Sequence, residues 1–283
     1  MKKYEFTKET KLEGKTKLRR IKALLDFGNV RRGTLGGWIE REENLSHEGN
    51  AWVYDNAEVY GNASVYENAQ IRNNAKVYGK AKVYGNAEIS ENAEVFDNAW
   101  VCNSARIYGS AKVYSGQWAY GNARIYGNAQ VCGNAEIYGN ARIFGAAKIY
   151  DNSKICGNAE IWDSAEIYGK AKIYGSSKIY GNAEIYGTAK IYGDIKIYGS
   201  AEIFKMEHML VVGPIGKRHN YTTFYRNRSN EISVSYERFT GKIDDFLNEI
   251  KEKYKGDKCA KVYISAAELA REQIDLKTGA KKQ

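Results

Sequence analysis

The chain has 283 residues, enough to bury a core in one large or two ordinary domains, and its 13% aromatic content argues against disorder. Its formal charge is +9, and 28 glycines accompany a single proline while 23 tyrosines outnumber 8 phenylalanines. No apolar run approaches the roughly 18 residues of a membrane span, the first residues lack the apolar stretch of a secretory signal, and four cysteines are too few for a disulfide scaffold, so a cytoplasmic protein without membrane contact is expected.

Residues 1–45 differ in kind from the rest of the chain. Tyr4-Glu5-Phe6 and the segment Leu18 to Leu24, separated by Glu13-Gly14-Lys15, predict a β-hairpin, and Gly33, Gly36 and Gly37 then mark loops. Such a segment suits a cap over the open edge of a stacked array.

From Ala51 to Ile203 the chain repeats Ala-x-Ile/Val-Tyr-Gly-Asn every six residues without a slip, which makes twenty-six hexads. The alanine and the aliphatic residue lie two apart, the spacing of a strand, so both face one way and the residue between them faces the other. Gly-Asn supplies a corner, since both residues tolerate the positive φ of a tight bend. Three short strands per turn close a triangular prism, whose coils stack at about 4.8 Å because one hexad alone cannot bury its aliphatic side chain. The alanine row departs only at Gln117, Ser153, Ser177 and Ile195, and the aliphatic row only at Ala119. Ile195 lies one coil beyond Ser177, and Gln117 is two residues from Ala119, which reads as volume traded within the core.

This pattern resembles the hexapeptide-repeat proteins with a left-handed parallel β-helix. The resemblance implies 18 residues per coil, about 8–9 coils for residues 46–204, and a left-handed winding. Gly36-Gly37-Trp38-Ile39 and Glu43-Asn44-Leu45-Ser46, running into Trp52-Val53-Tyr54-Asp55-Asn56-Ala57, are similar to uncharacterised repeat proteins of bacteria and their prophages, which implies a phage or prophage origin.

Beyond Phe204 the hexads stop and residues 205–283 predict a small α+β domain. Leu210-Val211-Val212, Tyr221 to Tyr225 and Ile232 to Tyr236 read as three strands; Ile243, Phe246, Leu247, Ile250 and Tyr254, then Tyr263, Ala266, Ala267, Ala270 and Ile274, fall at helical spacing. Thr240 and Asp257 are candidate N-caps. Gly213 to Arg218 lacks the spacing of a phosphate-binding loop and reads as a turn, and a basic tail ends in Lys281-Lys282.

Charge divides unevenly along the chain. Residues 1–50 carry 12 basic and 8 acidic side chains, residues 51–204 carry 15 of each, and residues 205–283 carry 16 and 11. A neutral solenoid makes nucleic-acid binding along it improbable. Acyltransferases of the hexapeptide-repeat kind imply a histidine between coils and an extended loop, whereas His47, His208 and His219 all lie outside the hexads. With three histidines needed for a carbonic-anhydrase-like zinc site as well, the expectation is a non-enzyme with no cofactor and no metal. Cys102 and Cys156 share an edge three coils apart, too far for a disulfide.

Two outward rows are candidate sites. Arg106, Arg124 and Arg142 stack one coil apart, each followed two residues on by an aromatic, Tyr108, Tyr126 and Phe144, an arrangement suited to phosphate or to a partner's acidic side chains. The bland alternative is repeat duplication with solvated arginines. Trp100 and Trp118 occupy adjacent rungs on the face of Lys154, Lys172 and Lys190, as at an interface with a protein partner or with a second copy in a dimer or trimer, for which the C-terminal domain is the other candidate surface; the alternative is a returning terminal segment that covers the two indoles. The leading expectation is therefore a binding or scaffold protein whose prism spaces the two ends about 40 Å apart. The alternatives are a phage counter-defence or regulatory protein that captures a host protein or a phosphorylated nucleotide, and a hexapeptide-repeat transferase.

Overall fold

The computed structural model describes residues 1–278, so the basic tail at Lys281-Lys282 lies outside the described residues. The chain is mainly β, a parallel β-solenoid with added terminal elements, and divides into two units, Met1–Cys156 and the residues from Gly157 onward.

In the first unit, β1 (Tyr4–Glu13) and β2 (Thr16–Ala23) form the expected antiparallel hairpin around Gly14, at φ 57°. β3 (Leu35–Ile39) then pairs antiparallel with β2 and parallel with β5 (Glu58–Val59), so the hairpin sheet runs on into a wall of the solenoid. Gly36 and Gly37 therefore sit in a strand, not in a loop. The reason is closeness: a Cβ at Gly36 would lie 2.8 Å from the Val53 carbonyl oxygen, and one at Gly37 would lie 2.6 Å from that of Ala57.

The hexads form two-residue strands, β4 (Trp52–Val53) to β21 (Lys154–Ile155) in this unit and β22 (Glu160–Ile161) to β29 (Glu202–Ile203) in the second. Each pairs in parallel with strands one coil away, as Glu94 does with Lys76 and Lys112, and the three strands of a coil belong to three parallel sheets. The alanine and aliphatic rows are buried throughout, and most residues between them face outward. An aliphatic side chain gains roughly 1.5–3 kcal/mol on full burial, and it finds that environment only in the coils above and below.

At each corner from Asp55 to Asp151 one residue takes φ between 53° and 72°. It is the second residue after the aliphatic one, usually preceded by an aromatic and most often glycine. The asparagine that follows does not share this conformation, contrary to the sequence-based expectation for the pair. Its side chain runs along the corner instead, with Asn50 Nδ2 donating to Asn68 Oδ1 at 3.0 Å and Asn68 Nδ2 to Asn86 Oδ1 at 3.2 Å. Asparagine is used here for a ladder of amides between coils, a role that local turn preference does not reveal.

Each coil before the last donates its outward N–H groups to carbonyls of the next, as Glu94 N–H does to Ala111 O at 3.0 Å. The first coil consequently presents carbonyl oxygens with no coil before it to donate. The N-terminal segment supplies donors: Lys3 Nζ reaches Ala51 O at 2.8 Å and Tyr4 OH reaches Leu45 O at 2.9 Å. Lys3 is 1% exposed, and burial lowers its pKa to about 8.

In the second unit the last coil is followed by an antiparallel sheet of β30 (Met209–Ile215), β31 (Asn220–Arg226), β32 (Ile232–Tyr236) and β33 (Phe239–Lys242), and then by α1 (Ile243–Tyr254) and α2 (Lys258–Gln273). Phe224, Val234, Tyr236, Phe246, Tyr263 and Ala267 form the core between sheet and helices. The sequence pattern predicts three strands and the sheet has four. Thr240, a candidate N-cap, pairs with Ser235 inside β33, and α1 starts after Lys242 without a side-chain cap. The strand's own ladder uses the backbone at Thr240, while Asp244 and Asp245 still occupy the first turn of α1. Asp257 caps α2 as expected, accepting from the Cys259 N–H.

Candidate functional site

The arginine row lies wholly within the first unit. β13 (Arg106–Ile107), β16 (Arg124–Ile125) and β19 (Arg142–Ile143) pair in register, so Arg106, Arg124 and Arg142 are successive rungs of one face, and all three are exposed. Tyr108 and Tyr126 stack at 4.8 Å between ring centroids, and Tyr126 and Phe144 at 4.9 Å. The three guanidinium groups have different neighbours. Arg106 Nε is 3.7 Å from Glu88 Oε2, while Arg72 Nε is 3.6 Å from Glu88 Oε1, so one carboxylate lies between two arginines. Arg142 Nη2 reaches Tyr126 OH at 3.5 Å. Arg124 makes no ion pair among the described residues.

One end of the row opens into a polar hollow of about 300 Å³, floored by Gln70, Glu88 and Arg106 and bounded by Tyr54, the Asn50–Asn68–Asn86 ladder and Gly28–Asn29 of the N-terminal segment. The hairpin and its following loop thus do more than cover an edge. They wall a site next to the arginines, and the sequence offered no signal for this because the wall and the floor are far apart along the chain.

Trp100 and Trp118 pair in register and stack at 4.8 Å, with Lys82 Nζ 4.4 Å from the Trp100 ring centroid. Trp118 remains 43% exposed, so no returning terminal segment among the described residues covers it.

Gln117 is 1% exposed, and neither its Nε2 nor its Oε1 has a hydrogen-bond partner. Ser153 and Ser177, in the same row, donate to Tyr150 O and Tyr174 O at 3.0 and 2.8 Å. The amide fills volume left by Ala119 at the expense of two unsatisfied polar atoms. Restoring the hexad with Gln117→Ala and Ala119→Val together is expected to stabilise the protein by about 1–3 kcal/mol. Denaturant unfolding of the double variant measures this, and a midpoint at or below that of the parent would contradict it.

The three histidines are in unlike settings. His47 stacks on Tyr4 at 4.4 Å; its Nδ1 accepts from the Lys3 N–H at 3.2 Å and its Nε2 is 3.6 Å from Glu42 Oε2. His208 is fully buried, and burial together with Arg226 and Lys205 lowers its pKa to about 4. His219 is exposed in a left-handed turn, at φ 50°. All four cysteines are free thiols. Among the described residues no cluster of three or more His, Cys, Asp or Glu side chains could hold a metal ion, and no helix is long and apolar enough to cross a membrane.

Fold and repeat together define a β-solenoid repeat protein. Residues 119–133 match the family described as YdcK Beta solenoid repeat. A stretch of 38 residues, 13% of this chain, is 58% identical to a protein of Escherichia coli (strain K12) named "Uncharacterized acetyltransferase YdcK", of whose length it spans 12%. This similarity corrects the expectation of a non-enzyme, because the relative is named for a transfer reaction. That expectation rested on the lack of histidines and of an inserted loop in the hexads. It neglected groups supplied from outside the repeat, such as the N-terminal segment that walls the polar hollow.

Proposed function

We propose that the arginine face of the first unit binds a phosphate-bearing ligand, and that this ligand is the acyl donor of a transfer reaction, a coenzyme A thioester. The observation that carries the reading is Arg124: an exposed guanidinium with no ion pair among the described residues, flanked one rung away on either side by another arginine and beside a continuous stack of aromatic rings. Like charges at that spacing repel. Phosphates spanning two rungs relieve that repulsion, guanidinium forks match their oxygens, and the ring edge offers an apolar surface to the rest of the donor. The name of the similar protein supports acetyl transfer as the chemistry.

Calorimetric titration with coenzyme A and acetyl coenzyme A tests the reading. Binding is expected, and Arg124→Ala should weaken it about tenfold or more, since a hydrogen bond to a charged group contributes about 1.5–3 kcal/mol. The variant should melt at the same temperature as the parent or slightly higher. Equal affinity in parent and variant, or no binding by the parent at millimolar donor, would overturn it. Release of free thiol from acetyl coenzyme A in the presence of amine and hydroxyl acceptors tests the transfer itself.

The stacked indoles support a second reading, contact with a protein surface or a second copy through the Trp100–Trp118 face, because Trp118 is 43% exposed and aromatic pairs of this kind concentrate interface energy.

A further inference from the structure

The second unit ends its parallel sheets with an edge that only part of the C-terminal domain answers. In each coil the N–H of the outward residue and that of the aromatic two residues on donate to carbonyls of the next coil; Lys172 N–H reaches Ala189 O at 2.9 Å and Tyr174 N–H reaches Ile191 O at 2.8 Å. The last coil therefore displays N–H donors. On two of its sides the C-terminal domain responds. Tyr198 N–H donates to Tyr225 OH at 3.3 Å, and Ala201 forms an antiparallel bridge with Asn227. On the third side β27 (Lys190–Ile191) is the terminal strand of its sheet, and the N–H groups of Lys190 and Tyr192 have no acceptor among the described residues.

Beside this open edge lies a mostly apolar groove of about 450 Å³, lined by Met206, Met209, Leu210, Val211 and Tyr221 with Ile195 at its base, and carrying two charged residues, Lys190 and Asp194. Tyr192 is 60% exposed, Tyr221 44% and Met206 38%. An open strand edge next to exposed apolar side chains is the surface on which strand addition occurs: main-chain hydrogen bonds hold the incoming segment and adjacent pockets select its side chains.

Charge identifies the segment. Lys172 and Lys190 are successive rungs in register, so the rung beyond Lys190 lies over a row of two like charges. On another wall of this unit Lys178, which Lys196 follows in register, still has an acid on the rung before it, with its Nζ 3.4 Å from Glu160 Oε2. A carboxylate one rung beyond Lys190 completes the row; a lysine there would extend the repulsion. The chain's own last residues, 279–283, contain two lysines and no acid, which disfavours them as the occupant.

We propose that β27 and its groove bind an extended segment of a partner protein as an added parallel strand, with sequence small–acidic–aliphatic–aromatic: the acidic residue over Lys190 and the aromatic residue in the groove. By the pattern of the coils beneath, the small residue's carbonyl accepts from Lys190 N–H, the aliphatic residue's carbonyl accepts from Tyr192 N–H, and the aliphatic N–H donates to Lys190 O. This site uses residues of the second unit alone and is independent of the arginine face.

The test is fluorescence anisotropy of the full chain with a labelled peptide, Ser-Ala-Glu-Ile-Phe-Gly-Ser, against two controls, the same peptide with Lys for Glu and the same peptide N-methylated at Ile. The Glu peptide is expected to saturate below about 1 mM, the Lys peptide to bind about tenfold more weakly, and the N-methyl peptide, which lacks a main-chain donor, to bind at least that much more weakly. Lys190→Glu, an exposed substitution whose fold is checked by circular dichroism, should invert the preference between the Glu and Lys peptides. No saturation by the Glu peptide at 1 mM, equal binding of the N-methyl peptide, or an unchanged preference in the folded Lys190→Glu variant would each overturn the proposal.

Discussion

Replacing Trp52 with alanine is expected to cost about 3–5 kcal/mol, the range for removal of a fully buried large aromatic side chain. Trp52 stands in the outward row of its wall, where Gln70, Glu88 and Arg106 follow on later rungs, yet it is 0% exposed. The N-terminal segment covers it: Tyr4 and Phe27 pack edge-on at 6.1 and 5.3 Å, and Gly36 leaves no room for a side chain above the indole. Its Nε1 has no hydrogen-bond partner, so the loss is one of packing and cavity. A cap loosened in this way withdraws Lys3 Nζ and Tyr4 OH from the carbonyls of Ala51 and Leu45. The bared edge is then a template for pairing with other chains. A fall in the melting temperature of roughly 10 °C with light scattering that rises at the new transition is the expected result. Unchanged melting without scattering would show that the indole does not hold the cap.

Alkaline titration is expected to unfold the solenoid abruptly. Burial raises the pKa of Tyr60 and of Tyr168 to about 12. Tyr78 and Tyr186 are raised further, by burial first and then by donating to the carboxylates of Glu94 and Glu202 at 2.9 and 3.0 Å. Tyr84 and Tyr138 are raised chiefly through hydrogen bonds with Cys102 and Cys156. Each group has a folded pKa above the unfolded value near 10. The folded chain therefore keeps protons that the unfolded chain releases, so the stability these phenols contribute is intact below pH 10 and is lost as pH rises through 12. Because the rings stack, as Tyr60 does on Tyr78 at 5.0 Å, ionising one places a charge against its neighbour. Melting temperature should hold or rise from pH 8 to 9.5, where the folded chain gives up the Lys3 proton that the unfolded chain keeps, and fall steeply above 10. Absorbance at 295 nm should show most tyrosines ionising together with unfolding. Gradual ionisation centred on pH 10 with retained circular dichroism would remove this account.

The solenoid was legible because its information is local and repeated. Alanine and isoleucine two apart define an inward face, one left-handed residue closes each corner, and identical neighbours arrive every coil, so the stacking of Arg106 on Arg124 or of Trp100 on Trp118 follows from counting. The helices and the Asp257 cap were legible for the same reason, since a periodicity of 3.6 and a capping residue act within a few positions. Histidine counting, by contrast, led to the expectation of a non-enzyme, which the similarity to a protein named as an acetyltransferase corrects, because the count searched only the repeat.

What the tertiary structure alone decided lies where the repeat stops and contacts span long separations in sequence. Lys3 meets the carbonyl of Ala51, Gly36 and Gly37 become strand residues because Val53 and Ala57 approach them, and Gly28–Asn29 wall the hollow at Arg106. Thr240 joins a fourth strand because Ser235 lies opposite it. Within the solenoid each residue meets a copy of its own surroundings, so a single hexad predicts its partners; at an end the hydrogen bonds of an edge must be met by unlike residues, and only the folded chain determines which of them arrive and, at β27, that none among the described residues does.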